Sequence, residues 1–184
     1  MTSPSGGTVV YVSLGSNIQP ERHLAGAVRL LATRCEVLAV SSVYRTPPQG
    51  YTEQADFLNM AVKVTTALAP YAFKTEVLDW IEREFKRVRD PHNKNAPRTI
   101  DLDISLWGDS SLDYGPKPWH VPDPDILRFA HVAVPLAELA PDYVHPERGQ
   151  TLATIAAALD TAGIEKLLTS HEFSSRLKLR RDNH

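Results

Sequence analysis

The sequence predicts an α+β fold, and three observations predict it. Short apolar or β-branched runs alternate with longer stretches of helical periodicity. Proline and glycine clusters punctuate them at element-sized intervals. At 184 residues, 42% of them hydrophobic and 23% charged, the chain can bury a core within one domain.

The apolar run 9–14 is the first strand, and Gly15-Ser16-Asn17 is the turn that stops it. Pro20 opens a helix over 20–34, with Leu24, Val28, Leu31 and Ala32 at helical spacing. β-Branched residues over 37–44 give a second strand, which Thr46-Pro47-Pro48-Gln49-Gly50 breaks into a shaped loop. The run 57–66 is the third strand. Pro70 starts a second helix reaching about residue 88, with Val77, Leu78, Ile81 and Phe85 on one face. Residues 89–97 are polar and aperiodic and carry Pro91 and Pro97, which predicts a long loop. The run 99–107 is the clearest strand, and 109–114 adds a short one beside it. Residues 123–139 read as helical in pieces and 151–162 as a last, alanine-rich helix, while 1–7 and 174–184 read as flexible ends. The order β-α-β-β-α-β followed by a helical extension is the split βαβ, ferredoxin-like pattern: an antiparallel sheet with helices on one face. No repeat or linker divides it, so 1–184 is expected to be a single domain.

Charge and cysteine content exclude several classes. The formal net charge is −2, which favours neither nucleic acid nor an anionic membrane as partner. No apolar run approaches the ~20 residues of a membrane span, and the N-terminus lacks the pattern of a signal peptide. The single cysteine, Cys35, can form no intrachain disulfide. A cytoplasmic monomer acting on small molecules is expected.

Side chains alternate faces along a strand, so Ile100, Leu102, Ile104 and Leu106 are expected on one face and Asp101 with Asp103 on the other. The Cβ atoms of the two aspartates then lie about 6–7 Å apart. Two carboxylates that close repel unless positive charge lies between them. Magnesium suits them, because it is held by one or two carboxylates plus substrate phosphates. A solvent-facing pair without function is the bland alternative. Against it stand the low strand propensity of aspartate and the basic run that precedes the pair. Arg83, Lys86, Arg87, Arg89, Lys94 and Arg98 lie in that run. A helix C-terminus accounts for the first three, but Lys94 and Arg98 lie beyond the helix. Such cations suit a polyphosphate. Gly15-Ser16-Asn17 lacks the glycine spacing and lysine of a Walker A loop, so phosphate binding rests on side chains and metal.

Five stretches, in order, resemble one family. They are Tyr11-Val12-Ser13-Leu14-Gly15-Ser16-Asn17; Ser41-Ser42-Val43-Tyr44-Arg45-Thr46-Pro47-Pro48; Phe57-Leu58-Asn59; Pro97-Arg98-Thr99-Ile100-Asp101-Leu102-Asp103-Ile104; and Pro135-Leu136-Ala137-Glu138-Leu139-Ala140-Pro141. Together they resemble 6-hydroxymethyl-7,8-dihydropterin pyrophosphokinase, an enzyme of folate synthesis, over roughly residues 9–160. The resemblance implies ATP as co-substrate and two magnesium ions on Asp101 and Asp103. It implies catalytic roles for Arg87, Arg98, Asp101 and Asp103, and an ATP side formed by Glu82, Arg87, Arg89, Lys94, Arg98 and Ile104. For the pterin it implies backbone contacts from Thr46 and Pro47, a ring contact from Phe57, an amide contact from Asn59 and stacking on His131. It further implies attack of the pterin hydroxyl on the β-phosphorus of ATP, with AMP released. The length and the polar, aperiodic composition of loop 89–97 predict that it closes over the bound nucleotide.

The chain departs from the pattern at four positions. Asp123 stands where many members have His, His131 where they stack a Phe, Asn95 where some have Trp, and Lys94 where some have Arg. Other readings stay open at this level: a metal-dependent transferase or nuclease that uses the two aspartates differently, an RNA-binding module, or a relative that has lost turnover. Acidic residues on the sheet and the lack of an RNP-like aromatic pattern weigh against the RNA reading.

Overall fold

The structure, a computed structural model, describes residues 7–48, 50 and 52–179. Residues 1–6 and 180–184 of the expected chain ends, and Gln49 of the expected loop, lie outside the described residues.

Strands β1 (Thr8–Ser16), β2 (Glu36–Val40), β3 (Val43–Thr46), β4 (Phe57–Thr66), β5 (Asp101–Trp107) and β8 (Glu165–Leu168) form one antiparallel sheet. Its order is β5-β1-β4-β3-β8, with β2 also paired to β4. β6 (Leu112–Tyr114) and β7 (Trp119–Val121) make a separate hairpin. The expected short strand therefore pairs with a strand the sequence did not reveal, and not with β5.

One face of the sheet carries Val10, Val12, Leu14, Met60, Val62, Leu102 and Ile104, packed with Leu24, Val28 and Leu31 of α1 (Pro20–Arg34). The same layer receives Phe73, Val77, Leu78 and Ile81 from a second helical stretch. That stretch runs through α2 (Pro70–Ala72), a π-helical turn (Phe73–Leu78) and α3 (Asp79–Glu84).

The opposite face is also covered, which corrects the expectation of helices on one face only. Tyr11, Ala61 and Leu106 pack there with Ala133 and Leu136 of α4 (Ala130–Leu139) and with Leu152, Ile155 and Ala156 of α5 (Leu152–Ala158). A 3₁₀ turn (Pro124–Leu127) leads into α4 and contributes Ile126 to this second core. Leu106 was expected beside Ile104. The β1–β5 register shifts so that Val12 faces Ile104 while Tyr11 faces Leu106, leaving Ser105 as the extra residue of a bulge. The bulge turns Leu106 to the second core and Trp107 back to the first, where it meets Phe73 edge-on.

The expected strand 37–44 is two strands. At the break, Ser41 Oγ accepts from the Ala61 amide at 2.8 Å, and the Ser42 amide and hydroxyl both donate to Glu138 of α4. The polar partners stand in for the ladder bonds there. The C-terminal extension is not purely helical: β8 adds an edge to the sheet, and α6 (Ser170–Leu179) places Phe173 in the first core. Residues 174–179, expected as a frayed end, belong to that helix.

The second helix ends at Glu84, short of the expected residue 88. Lys86 has φ 52°. The Lys86 amide donates to the Arg83 carbonyl at 3.0 Å and the Arg87 amide to the Glu82 carbonyl at 2.9 Å, the bonding pattern of a Schellman stop. A left-handed conformation costs a lysine about 1–2 kcal/mol that glycine does not incur. Lys86→Gly is therefore expected to raise the unfolding free energy by about 1 kcal/mol, read as a higher urea midpoint at unchanged m-value.

Candidate active site

The site exists because α4 and α5 cover only part of the second sheet face. Beyond Tyr11, that face continues along β1 as Ser13 and Gly15, opposite Asp103 and Asp101 on β5 and Ala61 and Asn59 on β4. Small residues on the middle strand leave a hollow between the aspartates and Asn59. A Cβ on Gly15 would lie 2.9 Å from Asn59 Oδ1, so glycine is what lets that amide settle.

The resulting cavity, about 200 Å³, is lined by Thr46, Pro47, Phe57, Asn59, Arg98, Asp101, Asp103 and His131 among the expected site residues. Thr46 and Phe57 are opposite one another across β3 and β4, and Asn59 Nδ2 donates to Thr46 Oγ1 at 2.7 Å. Asp123, Asp125 and Phe129 join the lining from the turn before α4. Phe129, which sequence reasoning missed, stacks on His131 with ring centres 5.2 Å apart and planes 25° apart. An aromatic residue just before a helix gives no periodic signal. Burial holds the His131 pKa below its usual value, so the ring is a neutral imidazole at neutral pH.

The charged residues behind the cavity form a connected set. Arg98 bridges Asp101 at 2.9 Å, and Arg87 approaches the same carboxylate at 3.6 Å while pairing with Glu82 at 3.1 Å. The Schellman stop places Arg87 there, by folding the residue after Lys86 back along the helix end. Arg89 pairs with Glu82 at 2.8 Å from an exposed position. Glu82, Arg87 and Arg89 therefore sit behind Asp101 rather than on the cavity wall. Lys94 lies on the surface and contributes its carbonyl, which accepts from Arg98 at 2.6 Å. Ile104 is 3% exposed in the first core. Its side chain is not on the cavity wall, because strand alternation points it away from the aspartates.

Asn17 ties the surrounding loops together. Its Oδ1 accepts from the Arg98 amide at 2.8 Å and its Nδ2 donates to Gln54 at 2.7 Å, while Gln54 donates to the Asn95 carbonyl at 2.6 Å.

The two aspartates are electrostatically unequal. Burial works to raise the Asp101 pKa, but Arg87 and Arg98 outweigh it and hold the value below the ordinary one. Asp103 makes no ion pair among the described residues. Asp103 is open to the cavity, but the protein packed around that wall and the neighbouring Asp101 charge push its pKa well up. Glu82 is raised to about 7 by burial and by Asp101. Lys74, also missed in the sequence, stays a cation. Burial opposes its charge, but Asp103, Glu82 and Asp79 together raise its pKa above the usual value.

Residues 11–141 match the model of the 7,8-dihydro-6-hydroxymethylpterin-pyrophosphokinase family. The chain belongs to this family. A 2-amino-4-hydroxy-6-hydroxymethyldihydropteridine pyrophosphokinase of Methylorubrum extorquens is 40% identical over 163 residues, covering 87% of this chain and 99% of its own. The Bacillus subtilis protein of the same name is 40% identical over 134 residues, covering 71% of this chain and 77% of its own. Among solved structures, an HPPK-DHPS chain crystallised with substrates superposes with TM-score 0.71 at 10% identity, over 88% of this chain and 48% of that one. Wild-type Plasmodium falciparum HPPK-DHPS gives 0.66 at 13% identity, over 84% and 45%. This chain thus spans about half of those longer chains, and the likeness is one of fold. No helix among the described residues of this pyrophosphokinase-family chain is long and apolar enough to cross a membrane.

Asp123 stands out among the departures. Its side chain accepts from the Asp125 amide at 2.9 Å, capping the 3₁₀ turn, and burial pushes its pKa up to about 6. A carboxyl with a raised folded pKa contributes stability that is complete below the unfolded value of 3.8 and is lost as pH rises through about 6. Metal-free wild type should therefore lose at most about 3 kcal/mol relative to Asp123→Asn between pH 4 and 7. Urea unfolding of both proteins across that range checks it.

Proposed function

We propose that this chain transfers the diphosphate of ATP to the hydroxymethyl group of 6-hydroxymethyl-7,8-dihydropterin, releasing AMP, as a magnesium-dependent step of folate biosynthesis. One observation carries the reading: a single cavity joins the Asp101/Asp103 pair to a pocket of Thr46, Pro47, Phe57, Asn59 and His131. A flat heterocycle with an amide edge fits that second half. Asn59 offers both a donor and an acceptor to such an edge, and the rings of Phe57 and His131 offer apolar surfaces to its faces.

The donor set suits magnesium. Asp101 and Asp103 are hard oxygen ligands on one wall, and Asp103 makes no direct ion pair among the described residues. Among the described residues no group of three or more His, Cys, Asp or Glu forms a cage. Remaining positions would fall to water and phosphate oxygens, the usual manner of magnesium binding beside nucleotides. Bound magnesium would neutralise the polyphosphate and make the β-phosphorus more electrophilic.

The protein's own part is positioning and charge. The pterin's hydroxymethyl oxygen attacks the β-phosphorus and gives up its proton to a carboxylate of the Asp101/Asp103 pair or to solvent, the bond from that phosphorus to the α,β-bridging oxygen breaks, and AMP departs. Arg98, partly exposed to the cavity, stabilises the spreading negative charge. Arg87 acts one layer behind, held by Glu82 and by Asp101 itself. Arg89 and Lys94 sit at the surface beside them, where the triphosphate enters. The chain is read as one domain because the cavity draws on β1, β3, β4, β5 and the start of α4. Its central order β5-β1-β4-β3 supports the ferredoxin-like assignment.

The test is product analysis. Incubated with ATP, magnesium and hydroxymethyldihydropterin, the protein should release AMP and the pterin diphosphate. Asp103→Asn should lower the rate at least ~10²-fold while keeping the wild-type circular dichroism spectrum. Release of ADP, or an unchanged rate in Asp103→Asn, would rule the reading out.

A further inference from the structure

The π-helical turn carries a charged residue for which the proposed reaction has no role. Lys74 is 5% exposed. Its Nζ donates to Asp79 Oδ1 at 3.0 Å and to the Leu102 carbonyl at 3.3 Å. Leu102 is the residue between Asp101 and Asp103. β5 lies at the end of the sheet order and has a strand neighbour, β1, on one side only. The ammonium therefore adds a second anchor to the backbone from which both carboxylates project.

The local backbone makes this anchor possible. In an α-helix, residues five apart lie roughly 140° apart around the axis, too far to pair. Here the Asp79 amide donates to the Lys74 carbonyl, a bond of π spacing that brings the two residues onto one face. Asp79 can then hold the lysine head from outside while Leu102 receives it from within. Phe73, Val77 and Leu78 of the same turn are buried in the first core, so the helix cannot slide to relieve the arrangement. A π turn is a costly irregularity in a helix. Here it places one ammonium under the strand segment on which the site depends.

We propose that Lys74 is a positioning residue for the metal-binding strand: through the Leu102 carbonyl it fixes the direction in which Asp101 and Asp103 present their carboxylates, and Asp79 keeps it in place. This rests on the reading of those aspartates as metal ligands. A merely structural Lys74–Asp79 pair would affect stability and leave the metal site alone.

Lys74→Met keeps the length of the side chain and removes the ammonium. Asp79→Asn keeps the ammonium and loosens its tether, and it serves as the second variant should Lys74→Met fail to fold. Backbone amide exchange is measured over 101–104 in the protein free of metal and nucleotide. Mn²⁺ binding is measured by electron paramagnetic resonance with a non-hydrolysable α,β-methylene ATP analogue. Lys74→Met is expected to exchange those amides about tenfold faster and to bind Mn²⁺ roughly tenfold more weakly. Its kcat should fall by at least about tenfold while the pterin KM stays within about twofold. Asp79→Asn should show the same changes at smaller size. A folded variant with wild-type exchange and wild-type Mn²⁺ affinity overturns the role of Lys74 alone. Wild-type protein that fails to bind Mn²⁺ overturns the metal-ligand reading, and this inference with it.

Discussion

Two carboxylates on the same side of an edge strand repel each other, and much of the polar structure around β5 answers that repulsion. Arg87 and Arg98 converge on Asp101 and keep it ionised. Lys74 lends positive charge from the core side. Asp103 makes no ion pair among the described residues and has a raised pKa. Under the proposed magnesium reading, that imbalance would leave one carboxylate committed to the protein and the other to ionise when positive charge arrives.

The cavity follows from incomplete coverage of a sheet. Both faces are packed by helices near Tyr11, but α4 and α5 leave the ends of β1 and β5 open on one side. The residues at that open end are small or polar: Ser13, Gly15, Asn59, Asp101 and Asp103. The bulge at Ser105 marks the change, since one extra residue lets Asp103 face the hollow while Leu106, beyond it, faces the second core. A regular strand would have put Leu106 with Ile104 and left the second core without its central leucine.

Helix irregularities supply the charges. The π turn brings Lys74 to the underside of β5, and the Schellman stop at Lys86 returns Arg87 to Glu82 and Asp101. Each irregularity costs local backbone energy, and each delivers a cation to the same carboxylate pair. Asn17 performs the matching task in the loops by holding the backbone of Arg98 and reaching Gln54.

The sequence by itself determined the α+β class, the positions of β1, α1, β4 and β5, and the common direction of Asp101 and Asp103. These depend on alternation and helical spacing, which are local properties of the chain. Its resemblance to the family also marked Thr46, Phe57, Asn59, Arg98 and His131, which the structure gathers around one cavity. Only the tertiary structure decided that helices cover both sheet faces, that β7 and β8 exist, and that Leu106 and Ile104 part company. It alone revealed that Phe129 lines the cavity and that Lys74 lies beneath the aspartates. Those outcomes depend on bulges, π turns and contacts between residues far apart in the chain. A one-residue irregularity reverses which way the next side chain points and leaves no mark in composition or periodicity.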